Sequence, residues 1–187
     1  QTSPFQPIPF QYSLHRLNDM EGKVSHHYFL GDGCSDPREQ LIQRMIRDLG
    51  KKGSILTWSV VYERGIIKRL IAQFPLYEKE LNAIHQRMAD LMIPFKEKWV
   101  VLPAAGGSAS LKRVLPAMFP AEQFPDLCYD SLAIGDGMAA SYAYATLCDL
   151  AEEERETIRQ HLLVYCHLDT LAMVRIWEKL HQFLKKK

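Results

Sequence analysis

The 187-residue sequence has almost no net charge: 23 Lys and Arg face 22 Asp and Glu, leaving +1. That balance excludes a global basic field, so a nucleic-acid or anionic partner would have to be held by a local patch. No apolar run approaches the roughly 18 to 20 residues that a membrane span needs. The opening, QTSPFQPIPFQ, has neither the basic start nor the apolar stretch of a secretory signal. Repeats and low-complexity tracts are absent, apart from a closing Lys run expected to be solvated. The four cysteines, Cys34, Cys128, Cys148 and Cys166, show no C-x-x-C pair in a chain large enough to build its own core. They are read as free thiols in a reducing cytosol. What remains is one globular domain over residues 1–187, placed in the cytoplasm without a membrane partner. The first residue, Gln rather than Met, predicts a segment of a longer protein whose other domains are its neighbours.

The hydrophobic pattern predicts an α/β order. PFQYSLHRL (9–17) and KVSHHYFLG (23–31) are β-prone runs joined by the polar turn NDMEG, which predicts a hairpin. SDPREQLIQRMIRDLGKKG carries apolar residues at 41, 42, 45, 46 and 49 and a stop at Gly50, which predicts an amphipathic helix. GSILTWSV (53–60) reads as a buried strand, and the helix that follows is stopped by Pro75. LYEKELNAIHQRMADLM predicts a further helix with Leu81, Ile84, Met88 and Leu91 as its core stripe. KWVVLPAAGGSASLKRVLPAMFP predicts a short strand, a Gly-rich turn and a helix capped by Ser108 or Ser110. Two more helices are expected over 135–150 and 152–184. Three clear strands and a weak one imply a small mixed sheet covered by helices, with its first strand preceding Gln1.

Chemistry is expected where the buried strand gives way to a helix, because α/β folds place their sites at strand ends. There SVVYE sets Ser59 and Glu63. In the last helix, YCHLD sets Tyr165 and Asp169 four apart and therefore on one face. Carboxylates converging from two elements suit an oxygen-ligated Mg²⁺ or Mn²⁺, and a Tyr one turn away can orient water or touch a phosphate.

The Y-x-x-x-D spacing of YCHLD resembles the third motif of the DEDDy 3′–5′ exonucleases of the ribonuclease H-like superfamily. Their second motif, N-x-x-[FY]-D, is similar to SVVYE, with Ser59 for the Asn and Glu63 for the Asp. The resemblance implies a two-metal exonuclease on single-stranded DNA or RNA, with Tyr165, Glu63 and Asp169 catalytic and the latter two ligating metal. It also implies a D-x-E strand ahead of the hairpin, where no stretch of this sequence can supply it, so the isolated chain is expected to be nearly inactive. Across most of the chain, IPFQYSLH, DPREQLI, GSILTWSVVYER, GGSASLKRVLPAM and YCHLDT resemble the bacterial family called domain of unknown function 2779.

Plainer readings stand beside these. Glu63 also suits a helix first turn, and Asp90 is either a supporting site residue or a cap. The AAGGSASLK turn presents backbone N–H groups and Lys112 to a phosphate, or is simply a capped helix start; it lacks the Walker spacing. Ser59 and Lys112 are the candidate nucleic-acid contacts. His26, His27, His161 and His167 lack metal-motif context and read as strand or surface histidines. The GDG runs at 31–33 and 135–137 read as turns. Trp58, Trp99 and Trp177 are core candidates, with Tyr62 or Trp99 as alternative stacking surfaces. The rival to an enzyme is an interaction module, or a scaffold, that kept the fold without the chemistry.

Overall fold

A computed structural model describes residues 7–17 and 24–185. β1 (Gln11–Leu17) and β2 (Val24–Leu30) pair antiparallel, with Tyr12 opposite Phe29, Ser13 opposite Tyr28 and His15 opposite His26. The NDMEG turn lies outside the described residues. Alternation along the strands puts Tyr12, His27 and Phe29 on one face and Ser13, His15, His26 and Tyr28 on the other.

The first face meets α1 (Arg38–Leu49), which buries Leu41, Ile42 and Met45 and ends at Gly50 as expected. Its Asp48 is buried, accepting from the Tyr12 hydroxyl at 2.6 Å and from Arg44 Nε at 3.1 Å. A buried carboxylate so supplied with donors is a structural tie between hairpin and helix.

β3 (Ile55–Thr57) leads into α2 (Val60–Gln73), which stops before Pro75. α3 (Glu78–Arg87) is shorter than the helix expected over 76–92. Residues 88–90 form β4 (Met88–Asp90) instead, parallel to β3, with Thr57 opposite Asp90. Leu81, Ile84, Met88 and Leu91 are all buried, so the stripe was right and the conformation of its end was not. The β3 edge offers the Met88–Asp90 backbone a ladder, a competition that helical periodicity does not register.

After the short α4 (Ile93–Lys96), the strand expected within 98–102 is turn and coil, with Trp99 and Val101 exposed. α5 (Leu111–Met118), α6 (Gly137–Ala145) and α7 (Glu152–Lys185) complete the chain. Among the described residues the mixed sheet is two separate pairs, β1–β2 and β3–β4. Both pack on one cluster, in which Tyr12, Phe29 and Ile55 lie against Leu41, Ile42, Met45 and Met88. α7 joins two further clusters, through Leu168, Ala172 and Ile176 in one and Leu162 in the other.

The expectation of four free thiols needs correction, because Cys34 and Cys148 form a disulfide across 114 residues, leaving Cys128 and Cys166 free. The loop after β2 lies directly against the turn Leu147–Asp149: a Cβ added at Gly33, φ +84°, would meet Leu147 Cβ at 2.5 Å. Spacing along the chain carries no trace of that meeting, and the argument from thiols to a reducing compartment loses its support. Among the described residues no helix is long and apolar enough to cross a membrane.

Candidate functional site

The site starts at the turn between β3 and α2. Trp58 anchors it, donating from Nε1 to the Ala109 carbonyl at 3.0 Å. Ser59 then takes a left-handed conformation, φ 70° and ψ 68°, before α2 begins at Val60. That conformation is uncommon for a residue with a side chain and requires support.

Asp90, at the end of the adjacent strand β4, supplies it. Its Oδ1 accepts from the Ser59 N–H at 3.2 Å and the Met92 N–H at 2.9 Å, and its Oδ2 from the Val60 N–H at 3.1 Å. The carboxylate thus caps α2 from a neighbouring strand, satisfying N–H groups the helix leaves open. Of the two readings of Asp90, the capping one describes its contacts, and through them it positions the first turn that carries Glu63.

Glu63 lies in that turn, and α7 brings Asp169 near enough for the two charges to interact, with Tyr165 beside Asp169 on the same helix face. Burial pushes the Glu63 carboxyl above the ordinary carboxylate range, and the nearby Asp169 charge pushes it the same way. Asp169 is raised as well, by burial, against the opposing influence of Tyr129, Lys112 and Tyr165. The Tyr129 hydroxyl donates to Asp169 Oδ1 at 2.6 Å. The Tyr165 hydroxyl is held protonated by burial and by Asp169. Between them in sequence, the Cys166 thiol is pushed up to about 12 by burial and the two carboxylates, so it stays neutral.

Lys112 borders the group. Its ammonium lies 5.7 Å from the Tyr129 ring centroid and 5.8 Å from that of Tyr165, and it donates to the Gly135 carbonyl. Beside it, Lys112, Leu127, Tyr129 and Gly135 line a cavity of about 360 Å³.

The structure therefore brings Glu63, Tyr165, Asp169 and Lys112 together, with Asp90 and Ser59 one step behind them. Ser59 acts through its backbone here, because its N–H is committed to Asp90. In the Gly-rich turn, Ser108 Oγ accepts from the Ser110 N–H at 3.2 Å, and α5 has no side-chain cap. The second GDG places Asp136 as the cap of α6, accepting from Met138 and Ala139. Trp58 and Trp177 are partly buried against the core, whereas Trp99 and Tyr62 are exposed.

Sequence reasoning missed Tyr129, which lies in an irregular stretch with no periodicity to aim it. It also missed a cluster of His15, His26 and His167, in which one nitrogen from each ring lies within 4.8 Å of the other two. The turn read at 18–22 would set His15 opposite Ser25, one residue off the observed pairing with His26, and nothing in the sequence places α7 over that pair.

A family model described as Domain of unknown function (DUF2779) matches residues 1–110. The chain belongs to this family. The DUF2779 match contains the whole arrangement of Ser59, Glu63 and Asp90, while Lys112, Tyr165 and Asp169 lie beyond it. No curated protein and no solved structure matches the chain.

Proposed function

We propose that this DUF2779 chain holds part of a metal-dependent phosphodiesterase site on a ribonuclease H-like fold. The activity is that of a 3′–5′ exonuclease of DEDDy type on single-stranded DNA or RNA, with Mg²⁺ or Mn²⁺. One observation carries the reading: Glu63 and Asp169 are half-buried and near enough that the Asp169 charge disfavours the charge on Glu63. Two such carboxylates cost stability when unaccompanied, and they are the oxygen donors that a hard divalent cation takes. Glu63 and Asp169 would hold the ion. A bound divalent ion supplies charge neutralisation at phosphate oxygens and an acidified water.

The chain's own residues do the rest. Tyr129 orients Asp169 by donating to Oδ1, and Tyr165 hydrogen-bonds the same carboxylate. Tyr165, protonated at neutral pH, donates to a phosphate oxygen or a water at the same edge. Lys112 adds a positive charge beside them, and Tyr62, next to Glu63, offers an exposed ring for base stacking.

The sheets support the fold part of the reading. Two strand pairs packed on one cluster are compatible with a single mixed sheet joined by a further strand. A D-x-E strand of the kind the resemblance implies would supply the other carboxylates.

One observation favours a second reading, an interaction module without catalysis. Asp169 already accepts from Tyr129 and lies near Lys112, a degree of satisfaction that needs no ion. The protein as its gene encodes it, assayed with Mn²⁺ on 5′-labelled single-stranded DNA and RNA, separates the two. A product ladder lost in Asp169→Ala establishes the nuclease; a folded protein that binds the strand and leaves it intact establishes the module.

A further inference from the structure

The face of the hairpin turned toward α7 is polar where a sheet covered by a helix is ordinarily apolar. Ser13, His15, His26 and Tyr28 lie on that face, and α7 answers them with His167 and Thr170. His15 and His167 are half-buried and His26 lies at the solvent edge.

Hydroxyl groups orient both strand imidazoles. Thr170 Oγ1 lies 2.8 Å from His15 Nδ1 and 2.7 Å from Ser13 Oγ, which is in turn 2.8 Å from His26 Nε2. One nitrogen of each ring is thereby engaged, leaving His15 Nε2 and His26 Nδ1. His26 Nδ1 faces His167 Nδ1 at 3.4 Å, with the two rings nearly perpendicular at 88°.

That separation has a geometric meaning. Two nitrogens each about 2.0 to 2.1 Å from a tetrahedral zinc ion stand about 3.3 Å apart. The His26–His167 pair already spans such an edge, and with one nitrogen of each of the three rings within 4.8 Å of the others, modest side-chain rotation closes the remaining edges. A simple hydrogen bond between two imidazoles explains the pair and leaves the third ring, and the hydroxyl chain that orients it, without a role.

We propose that His15, His26 and His167 form a binding site for one Zn²⁺ or a similar borderline divalent ion, chemically separate from the carboxylate site. Three neutral imidazoles select such ions, whereas carboxylates select Mg²⁺ or Mn²⁺. The solvent edge at His26 leaves a fourth position for water or a ligand, the pattern of open rather than closed sites. Thr170 and Ser13 are positioning residues that fix the ring orientations. The nearby charge of Arg175 opposes a cation, and its pairing with Glu178 at 3.0 Å tempers that opposition. Helix geometry keeps the sites apart, since His167 lies about 160° round α7 from Tyr165 and Asp169.

The test is a titration of the metal-stripped, full-length protein with Co²⁺, followed by visible absorption, then displacement by Zn²⁺. The expected result is one equivalent bound with a nitrogen-ligand spectrum and retained in excess Mg²⁺. Affinity should fall at least about 100-fold in His26→Gln or His167→Gln and about tenfold in Thr170→Val. Glu63→Gln and Asp169→Ala should leave it unchanged, which separates this site from the proposed nuclease centre. Absence of binding by the folded wild-type protein overturns the proposal. So does a thiolate spectrum pointing to Cys128 or Cys166, or loss of binding in Asp169→Ala. If a His variant fails to fold, the wild-type spectrum and Thr170→Val decide.

Discussion

Glu63 is a carboxylate kept where its charge is unwelcome, and its titration makes that measurable. A carboxyl whose folded pKa is raised costs nothing below its unfolded value near 4.3 and destabilises increasingly as pH rises through the raised value. Both causes, burial and the Asp169 charge, act in the same direction. Glu63→Gln should therefore melt higher than the wild type at pH 7 without metal, by about 0.5 to 2 kcal/mol, and lose the advantage near pH 4. Thermal melts at the two pH values, with and without Mn²⁺, check this; an unchanged melt at pH 7 would show that the charge is well accommodated. The shared face of Tyr165 and Asp169 was legible because helical spacing has fixed geometry, whereas the approach of α7 to Glu63 is set by packing and was expected only from the family resemblance. Tyr129 was not, since a residue in an irregular stretch is aimed only by the packing around it.

At the scale of elements, the β3–α2 turn depends on Asp90 more than on its own residues. Asp90→Ala removes the acceptor of three backbone N–H groups and the support of a left-handed serine. The expected cost is about 1 to 3 kcal/mol by urea denaturation, with a parallel loss of Mn²⁺ affinity as Glu63 shifts. Asp90→Asn, which keeps an acceptor, should lose less of both. The sequence showed an Asp in a helical pattern and could not show the exchange of the last helical turn for a strand. Burial of Met88 satisfies either conformation, so only the neighbouring strand's free edge decides.

The molecule has a mixed α/β architecture, as hydrophobic patterning implied, but among the described residues its strands are divided into two pairs and its loops are tied by a disulfide. Long-range pairing of this kind is outside the reach of local pattern, because Cys34 and Cys148 meet through packing of the β2 loop on Leu147. Closing so long a loop restricts the unfolded chain, so Cys34→Ser should lower stability by about 2 to 4 kcal/mol. Melting the wild type with and without reductant checks the same quantity independently; coincident curves would show that the link adds nothing.

α7 is one continuous helix of 34 residues that serves two unlike neighbours. Its Tyr165 and Asp169 address the carboxylate group, and its His167 and Thr170 address the hairpin. Insertion of a single residue between Leu162 and Tyr165 turns everything downstream by about 100°. Both faces would lose their targets together, so for evolution the interior of this helix is a frozen reading frame: substitution is open to it, and a change of length is not.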